Sequence, residues 1–325
     1  MAFSNSRFVP YAVRVAKAST WINQIETTPI NPGVSLFEES SGSMTDRALV
    51  AARSIEPTVP IVTSDASILA TLGFGGYAWD GLAANPVTIY GRELPMGAVP
   101  TAVASAVHMS AAISDGLLVP MSLSASHNSV AKLNLMLHAI QGSGASSGAT
   151  PVVIATGGTI PTTNSPEPAT QNIYTCGVIH FTTGASSPAV SPRLVTGVLS
   201  LGVNFGIQVE KESTDGDVYP SFASIISRMP SIEFSCRDLT LAKEIGDGIA
   251  TTGFDAYFYK VDANGQRVAK ASTVHIKITG TTGMLTPGGL NFTHKRPGET
   301  SFTFTPASAA PNLTISTSSA IPTTA

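Results

Sequence analysis

Charge is what this chain has least of. Asp, Glu, Lys and Arg together make up 12% of its 325 residues, about half the share usual in a soluble protein. A chain that shows water so little charge is either covered in an assembly or wets its surface with Ser and Thr, and assembly is the leading expectation. The net charge is −3 and no run of five or six like charges occurs. A basic field for gripping nucleic acid is therefore missing, which argues against sequence-specific DNA binding. Cysteine is nearly absent: Cys176 and Cys236 are expected as two free core thiols rather than a disulfide. Residues 1–17 carry Arg7, Arg14 and Lys17 but no apolar segment of signal-peptide length, and no 18-residue apolar run follows. The expectation is a protein made and kept in a cytoplasm, with no membrane partner.

Catalytic constellations are missing as well. Gly144-Ala145-Ser146-Ser147-Gly148 matches the letters of a serine-hydrolase elbow, yet lacks the strand before it and the helix after it that strain such a turn. Gly73-Phe74-Gly75-Gly76 holds too little of the dinucleotide fingerprint. Asp215-Gly216-Asp217 and Asp262-Ala263-Asn264-Gly265 echo a calcium loop without its closing glutamate, so both are read as turns. The aromatic group Phe74, Tyr77 and Trp79 has no basic groove around it and is expected in a core or an interface. No catalytic, cofactor-binding or metal-binding residue is assigned, and the chain is read as a non-enzyme.

What the chain does have is an internal echo. Residues 107–127 recur at 274–294 without a gap, sharing Val107/Val274, His108/His275, Gly116/Gly283, Leu118/Leu285, Pro120/Pro287, Leu123/Leu290 and His127/His294. Seven matches in 21 positions compare with roughly one expected by chance, so the chain is read as a duplication. Upstream, the segment from Pro57 to Asp65 answers Pro230 to Asp238; downstream, Ile154 to Thr163 answers Ile315 to Thr324. The offset drifts from 173 through 167 to 161, as short loop insertions would make it do. The division expected is an arm over 1–45, a first unit over 46–163 and a second over 164–325.

Within each unit the pattern is mostly period two. A β-branched run at 58–63 leads into Asp65, a cap for a helix over 66–72 stopped by Gly73; residues 232–235, Asp238, a helix over 239–245 and Gly246 repeat that module. Strands are expected over 254–261 and 268–279 around the Asn264-Gly265 turn, and at 87–90. Leu133, Leu135 and Leu137, like Phe302 and Phe304, alternate as one buried face of a sheet. Residues 141–150 and 156–170, rich in Gly, Ser, Thr and Pro, suit a linker. The run 194–210 alternates longest, with a break expected near Gly202 and an exposed tip over 210–217. His108, His127, His275 and His294 could form two pairs per chain for metal or proton chemistry, but no Asp, Glu or Cys stands at ligand spacing. Neutral histidines satisfied by backbone carbonyls are the expectation.

These features resemble the tail tube, or major tail, proteins of long-tailed bacteriophages. The carrying motifs are the strand into an Asp-capped helix (57–73, 230–246), Gly-x-Leu-x-Pro (116–120, 283–287) and Asp-Gly-Asp-x-Tyr-Pro (215–220), which span about half the chain. The resemblance implies an all-β fold of tandem duplicated β-sandwich domains with one short flanking helix per unit. It also implies a long hairpin that joins neighbours into a barrel, for which 194–210 is the candidate. A family member with two fused copies forms trimeric, pseudo-hexameric rings that stack into a tube. Its implied partners are itself, the tape measure protein, tail terminator and baseplate or tail-tip proteins, with DNA only as passing cargo; its place is the virion, after assembly in the host cytoplasm. The alternatives are another virion component, such as a head decoration or tail terminator protein, or a carbohydrate-binding or depolymerase β-sandwich. The last should show paired carboxylates or an aromatic stripe, which this sequence lacks.

Overall fold

The computed structural model describes residues 7–16, 20–39, 49–72, 82–83, 86–95, 99–141, 150–161, 172–181, 193–214, 217–245, 249–251, 253–291, 298–307 and 313–323. Among these the fold is all-β, with 24 strands against two short helices, Ile68–Thr71 and Leu239–Ile245. All of the strand pairings are antiparallel.

One five-stranded sheet runs in the order Val152–Gly158, His108–Ile113, Val87–Leu94, Arg7–Val15, Thr20–Ile22. A second runs Leu313–Ser319, His275–Gly280, Phe254–Val261, Ile173–Phe181, Arg193–Val195. Position by position these are the same order. A ten-stranded sheet shows the same recurrence about its middle. On one side lie Ile25–Thr27, Thr58–Thr63, Lys132–Ile140 and Asp115–Ser126, with Leu82–Ala83 beside the last. On the other side lie Val198–Asn204, Ser231–Cys236, Glu299–Pro306 and Gly283–Asn291, with Ile249–Thr251 beside the last. The sides meet where Asp115–Ser126 pairs with Val198–Asn204, from Ser122↔Asn204 to Ser126↔Ser200. Two hairpins complete the set: Val34–Glu39 with Leu49–Ile55, and Ile207–Glu212 with Phe222–Arg228.

Several expectations need correction. Residues 1–45 are not an arm standing outside the first unit. Arg7–Val15 is an interior strand of its sheet, flanked by Thr20–Ile22 and Val87–Leu94, and Ala12, Val13, Val15 and Ile22 are fully buried. The boundary at 45/46 also falls inside the first hairpin. The stretch 156–170 is not all linker, since Thr156 belongs to an edge strand and Ile160 is buried. The run 194–210 breaks at Gly197 and Gly206, both at positive φ, and not at Gly202, which lies inside a strand. The strand expected over 268–279 begins only at His275. The helix expected over 66–72 is the single turn Ile68–Thr71, and its N-cap is Ser67 rather than Asp65. Gly73, Gly246, the cluster at Phe74, Tyr77 and Trp79, Ser146 with its flanks, Asp215-Gly216 and His294 lie outside the described residues.

The buried faces of the sheets meet in one continuous core. In the second half the layers touch through phenylalanines: Phe254 of the five-stranded sheet stacks on Phe304 of the ten-stranded one at 4.7 Å between ring centroids and meets Phe234 at 5.9 Å, while Phe234 stacks on its cross-strand neighbour Phe302 at 5.1 Å. The equivalent sites in the first half hold Val87, Leu137, Ile61 and Leu135, buried to the same degree. Close packing tolerates such exchanges when a whole layer changes together. The same lattice of sites is therefore filled by aliphatics once and by aromatics once.

Each hairpin departs from its sheet through a glycine with no alternative. Gly33 at φ +60 and Gly206 at φ +59 are 173 residues apart, and a Cβ on either would sit 2.2 Å from the Glu56 carbonyl oxygen or 1.9 Å from that of Met229. The partner in each case donates its own N–H back to the glycine carbonyl at 3.0 Å. An L-residue there suffers both left-handed strain and a backbone collision. Gly206→Ala is expected to lower the unfolding free energy by about 2 kcal/mol or more; a denaturant titration with an unchanged midpoint would contradict this origin for the hairpin.

Candidate functional site

The paired histidines are structural. His108 accepts the Glu93 N–H at Nδ1 (3.1 Å) and donates from Nε2 to the Ala102 carbonyl (2.9 Å). His275 accepts the Lys260 N–H at Nδ1 (3.0 Å) and donates to the Ala269 carbonyl (3.0 Å). A backbone N–H can only donate, so each ring is neutral with its proton on Nε2. Each ring staples the loop before its strand to the neighbouring strand, and each reaches backbone groups 15 and 6 residues upstream. The second repeated position behaves differently, since His127 is exposed at a strand end.

The repeated aspartates do the same local work. Asp65 Oδ1 accepts the N–H and hydroxyl of Ser67, and Asp238 Oδ1 accepts those of Thr240. Asp238 also takes the Leu241 N–H at 3.2 Å and so caps its helix. Burial raises the Asp65 carboxyl above its usual range despite the Ser67 hydrogen bonds. At Asp238 slight burial is outweighed by Thr240, Leu241 and Arg193, and its carboxyl is held low. Cys176 and Cys236 are both free and buried, and burial pushes each thiol up to about 11.

One further titratable cluster went unseen in the sequence. Buried Asp255 accepts from Thr279 (2.7 Å) and Tyr257 (3.4 Å) and pairs with Lys277 at 3.0 Å. Its members come from alternate positions on two adjacent strands, which no local spacing reveals. Burial, with Asp255 adding to it, drives the Tyr257 hydroxyl upward, away from proton transfer near neutrality. The carboxylate is satisfied by its neighbours and lies among buried aromatics, so it holds strands together. Among the described residues no group of three His, Cys, Asp or Glu side chains could hold a metal ion.

A concave surface lies on the ten-stranded sheet itself, across the junction of its two sides. It is a shallow groove floored by Ser124, Ser126, Ser200, Ser235 and Gly202, with Lys132 and Glu233 as its charges. Two of the hydroxyls satisfy each other, Ser200 and Ser235 at 2.7 Å, while Asn134 donates to Ser122 at 2.7 Å. Alternation puts Leu123, Ala125, Leu201 and Val203 on the opposite, buried face. One face of a continuous sheet is thus apolar and covered, the other small, neutral and wet.

The second hairpin reaches across this junction. Lys211 meets the Glu56 carboxylate at 2.9 Å, Ile55 N–H donates to the Val218 carbonyl (2.9 Å) and Gln141 N–H to the Pro220 carbonyl (2.7 Å). His138 lies under it with a buried, unpartnered Nδ1. No protein-family model matches the chain, and no curated protein matches it.

Two measurements check these assignments. His275→Ala strands the Lys260 N–H and the Ala269 carbonyl and is expected to cost about 2–4 kcal/mol of stability, read by denaturant unfolding; a neutral outcome would refute the staple. His138 tests the inter-side contact by pH. Burial, then Lys211, pushes its pKa from 6.5 down to about 4, against an opposing pull from Glu56. Between those values the unfolded chain binds the extra proton, so stability is full above pH 6.5 and falls toward pH 4. The loss, reduced for partial exposure, is about 1–2 kcal/mol. It should disappear in His138→Gln, and a pH profile identical in both proteins would contradict it.

Proposed function

We propose that this chain is a structural virion protein of tail tube type. It consists of tandem, duplicated β-sandwich units, and its copies close into rings that stack into a tube. The observation that carries the reading is the ten-stranded sheet: two sides of identical strand order are already fused edge to edge inside one chain, and among the described residues the outer ends of the series stay open. A unit that joins its own duplicate in this way is suited to join further copies, and a heterologous contact of that kind closes into a ring or runs on as a helix. Two units per chain give a trimer with a pseudo-hexameric outline.

The wet, nearly neutral sheet face supports the use of the ring as a conduit. Its serine hydroxyls and bare Gly202 offer few charges to grip what passes, which suits the tape measure protein and then DNA as non-specific cargo. Ring stacks of this kind end on tail terminator and baseplate or tail-tip proteins, and the proposed location is the virion after assembly in the host cytoplasm. The proposal assigns no enzymatic step. A reading as a single-layer virion component would share the ring and lack the stacking.

Negative-stain electron microscopy of the purified chain separates these outcomes. Tubes whose axial views show three-fold symmetry and a six-lobed outline are expected. Single rings that never stack would move the assignment to a decoration or terminator protein, and protein that stays monomeric at high concentration would overturn it.

A further inference from the structure

The two open ends of the ten-stranded sheet carry the same strands that are joined in its middle. The inner joint pairs Asp115–Ser126 with Val198–Asn204. The counterpart of the first strand is Gly283–Asn291, at a shift of 167, and its register against Glu299–Pro306 repeats that of the inner strand, as Leu290↔Thr300 repeats Leu123↔Leu133. The counterpart of the second is the segment 25–31, at a shift of 173. Its pairs Ile25↔Thr63, Thr27↔Val62 and Asn31↔Thr58 repeat Val198↔Cys236, Ser200↔Ser235 and Asn204↔Ser231, bulge included. Among the described residues no strand pairs with the outer edge of 27–31, nor with Gly289, Leu290 and Asn291 on the edge that faces away from Glu299–Pro306.

Exposure singles out the same places. Leu123 is 0% exposed in the inner joint, whereas its counterpart Leu290 is 54% exposed. Ile207 of the docked hairpin is 5% exposed and Leu117 of the receiving strand 9%, while their counterparts Val34 and Met284 stand at 54% and 46%. Leu36, the counterpart of half-buried Val209, is 53% exposed. Residues that bury apolar surface where the joint is made are bare where it is not. A lone exposed leucine needs no explanation, but several that all map onto one existing contact do.

We infer that a second copy of this chain covers these edges by repeating the inner joint, its 29–31 edge pairing with Gly289 to Asn291 of the first in the register Gly289↔Asn31, Leu290↔Ile30, Asn291↔Pro29. The hairpin Val34–Glu39/Leu49–Ile55 then lies over the Gly283–Asn291 strand of the neighbour, as Ile207–Glu212/Phe222–Arg228 lies over the inner joint. The inner ladder places its bonding pairs at odd positions, shown by Phe205 N–H to the Met121 carbonyl and His127 N–H to the Leu199 carbonyl. Pro29 therefore points its missing N–H inward, toward Pro60, and leaves the open edge intact. One bond does not recur, because Pro32 stands where Phe205 donates. The ion pair of Lys211 with Glu56 also has no counterpart: Glu38 and Met229 occupy those positions, and Met229 is 75% exposed, so this end of the contact has no ion pair. The inference names the ring contact within the proposed function and rests on that reading only in requiring head-to-tail association.

Disulfide trapping in the full chain tests the register. Asn31 is exposed, and at Gly289 a Cβ would meet nothing within 4 Å, so Asn31→Cys and Gly289→Cys disturb neither edge. The native thiols are buried and give little background. On mild oxidation the double variant is expected to form a ladder of covalent oligomers ending in a closed ring on a non-reducing gel. Each single variant, and the off-register pair Gly289→Cys with Thr27→Cys, should stay monomeric on the gel. Assembled particles that fail to cross-link, or off-register trapping of equal yield, would overturn the inference. Leu290→Asp, at an exposed position, supplies a check that needs no engineered thiol. It should leave the circular dichroism and melting temperature unchanged and raise the protein concentration needed for assembly at least tenfold; unchanged assembly would again overturn the contact. Cross-linked rings that never stack would leave the contact standing and remove the tube, whereas tubes without cross-links would do the reverse.

Discussion

The main-chain ladder between Asp115–Ser126 and Val198–Asn204 is the interaction on which the rest of this structure depends. Without it there would be two separate sheets, each with a bare edge and an apolar rim. With it, Leu123, Ala125, Leu201 and Val203 become one buried stripe, and the polar side chains of both halves line up as one continuous wet face. The hairpin that crosses the joint adds side-chain specificity through Lys211 and Glu56, though the ladder alone sets the register. An edge strand is a hazard in a monomer because its free N–H and C=O groups template association. Here one such edge has been consumed within the chain, and its two repeats have been left open.

This arrangement accounts for the composition. Twelve per cent charge is low for a free-standing chain but reasonable for one whose wet sheet face relies on Ser, Thr and Asn and whose rim is to be covered. Edges are commonly protected by charges or prolines. The open segment does contain Pro29 and Pro32, yet by the parity of the inner ladder only Pro32 removes an outward donor. The edge is thus weakened at one end rather than blocked.

How much of this was legible in the sequence follows from which residues can be exchanged. The repeat was readable at positions where the side chain does something no other can: His108 and His275 bridge two backbone groups each, Asp65 and Asp238 fold back on the next polar side chain, and Gly116 and Gly283 lie so close to the carbonyls of His138 and Thr305 that a Cβ would collide. It was unreadable in the core, where Val87, Ile61 and Leu137 answer Phe254, Phe234 and Phe304 and the two halves share burial and not side-chain identity. The strand Arg7–Val15 escaped notice for that reason, since its counterpart Ile173–Phe181 shares its place and not its letters. The break at Gly206 escaped because positive φ leaves no mark on composition; the local signal was Asn204, whose side chain accepts the Gly206 N–H at 2.9 Å. The open edges could not be found from sequence at all, because their meaning comes from comparison with a joint formed between strands far apart in the chain.

The proposed assembly requires the chain to associate with itself head to tail and to close after a fixed number of copies. Mass photometry over a wide range of protein concentration addresses it directly, because it counts copies of the 33.5 kDa chain without fixation. The account expects monomers giving way to trimers and then to multiples of three, with dimers scarce because an open dimer leaves two edges bare. A monomer that persists at every concentration, or a ladder of unlimited sizes with no preference for three, would contradict it.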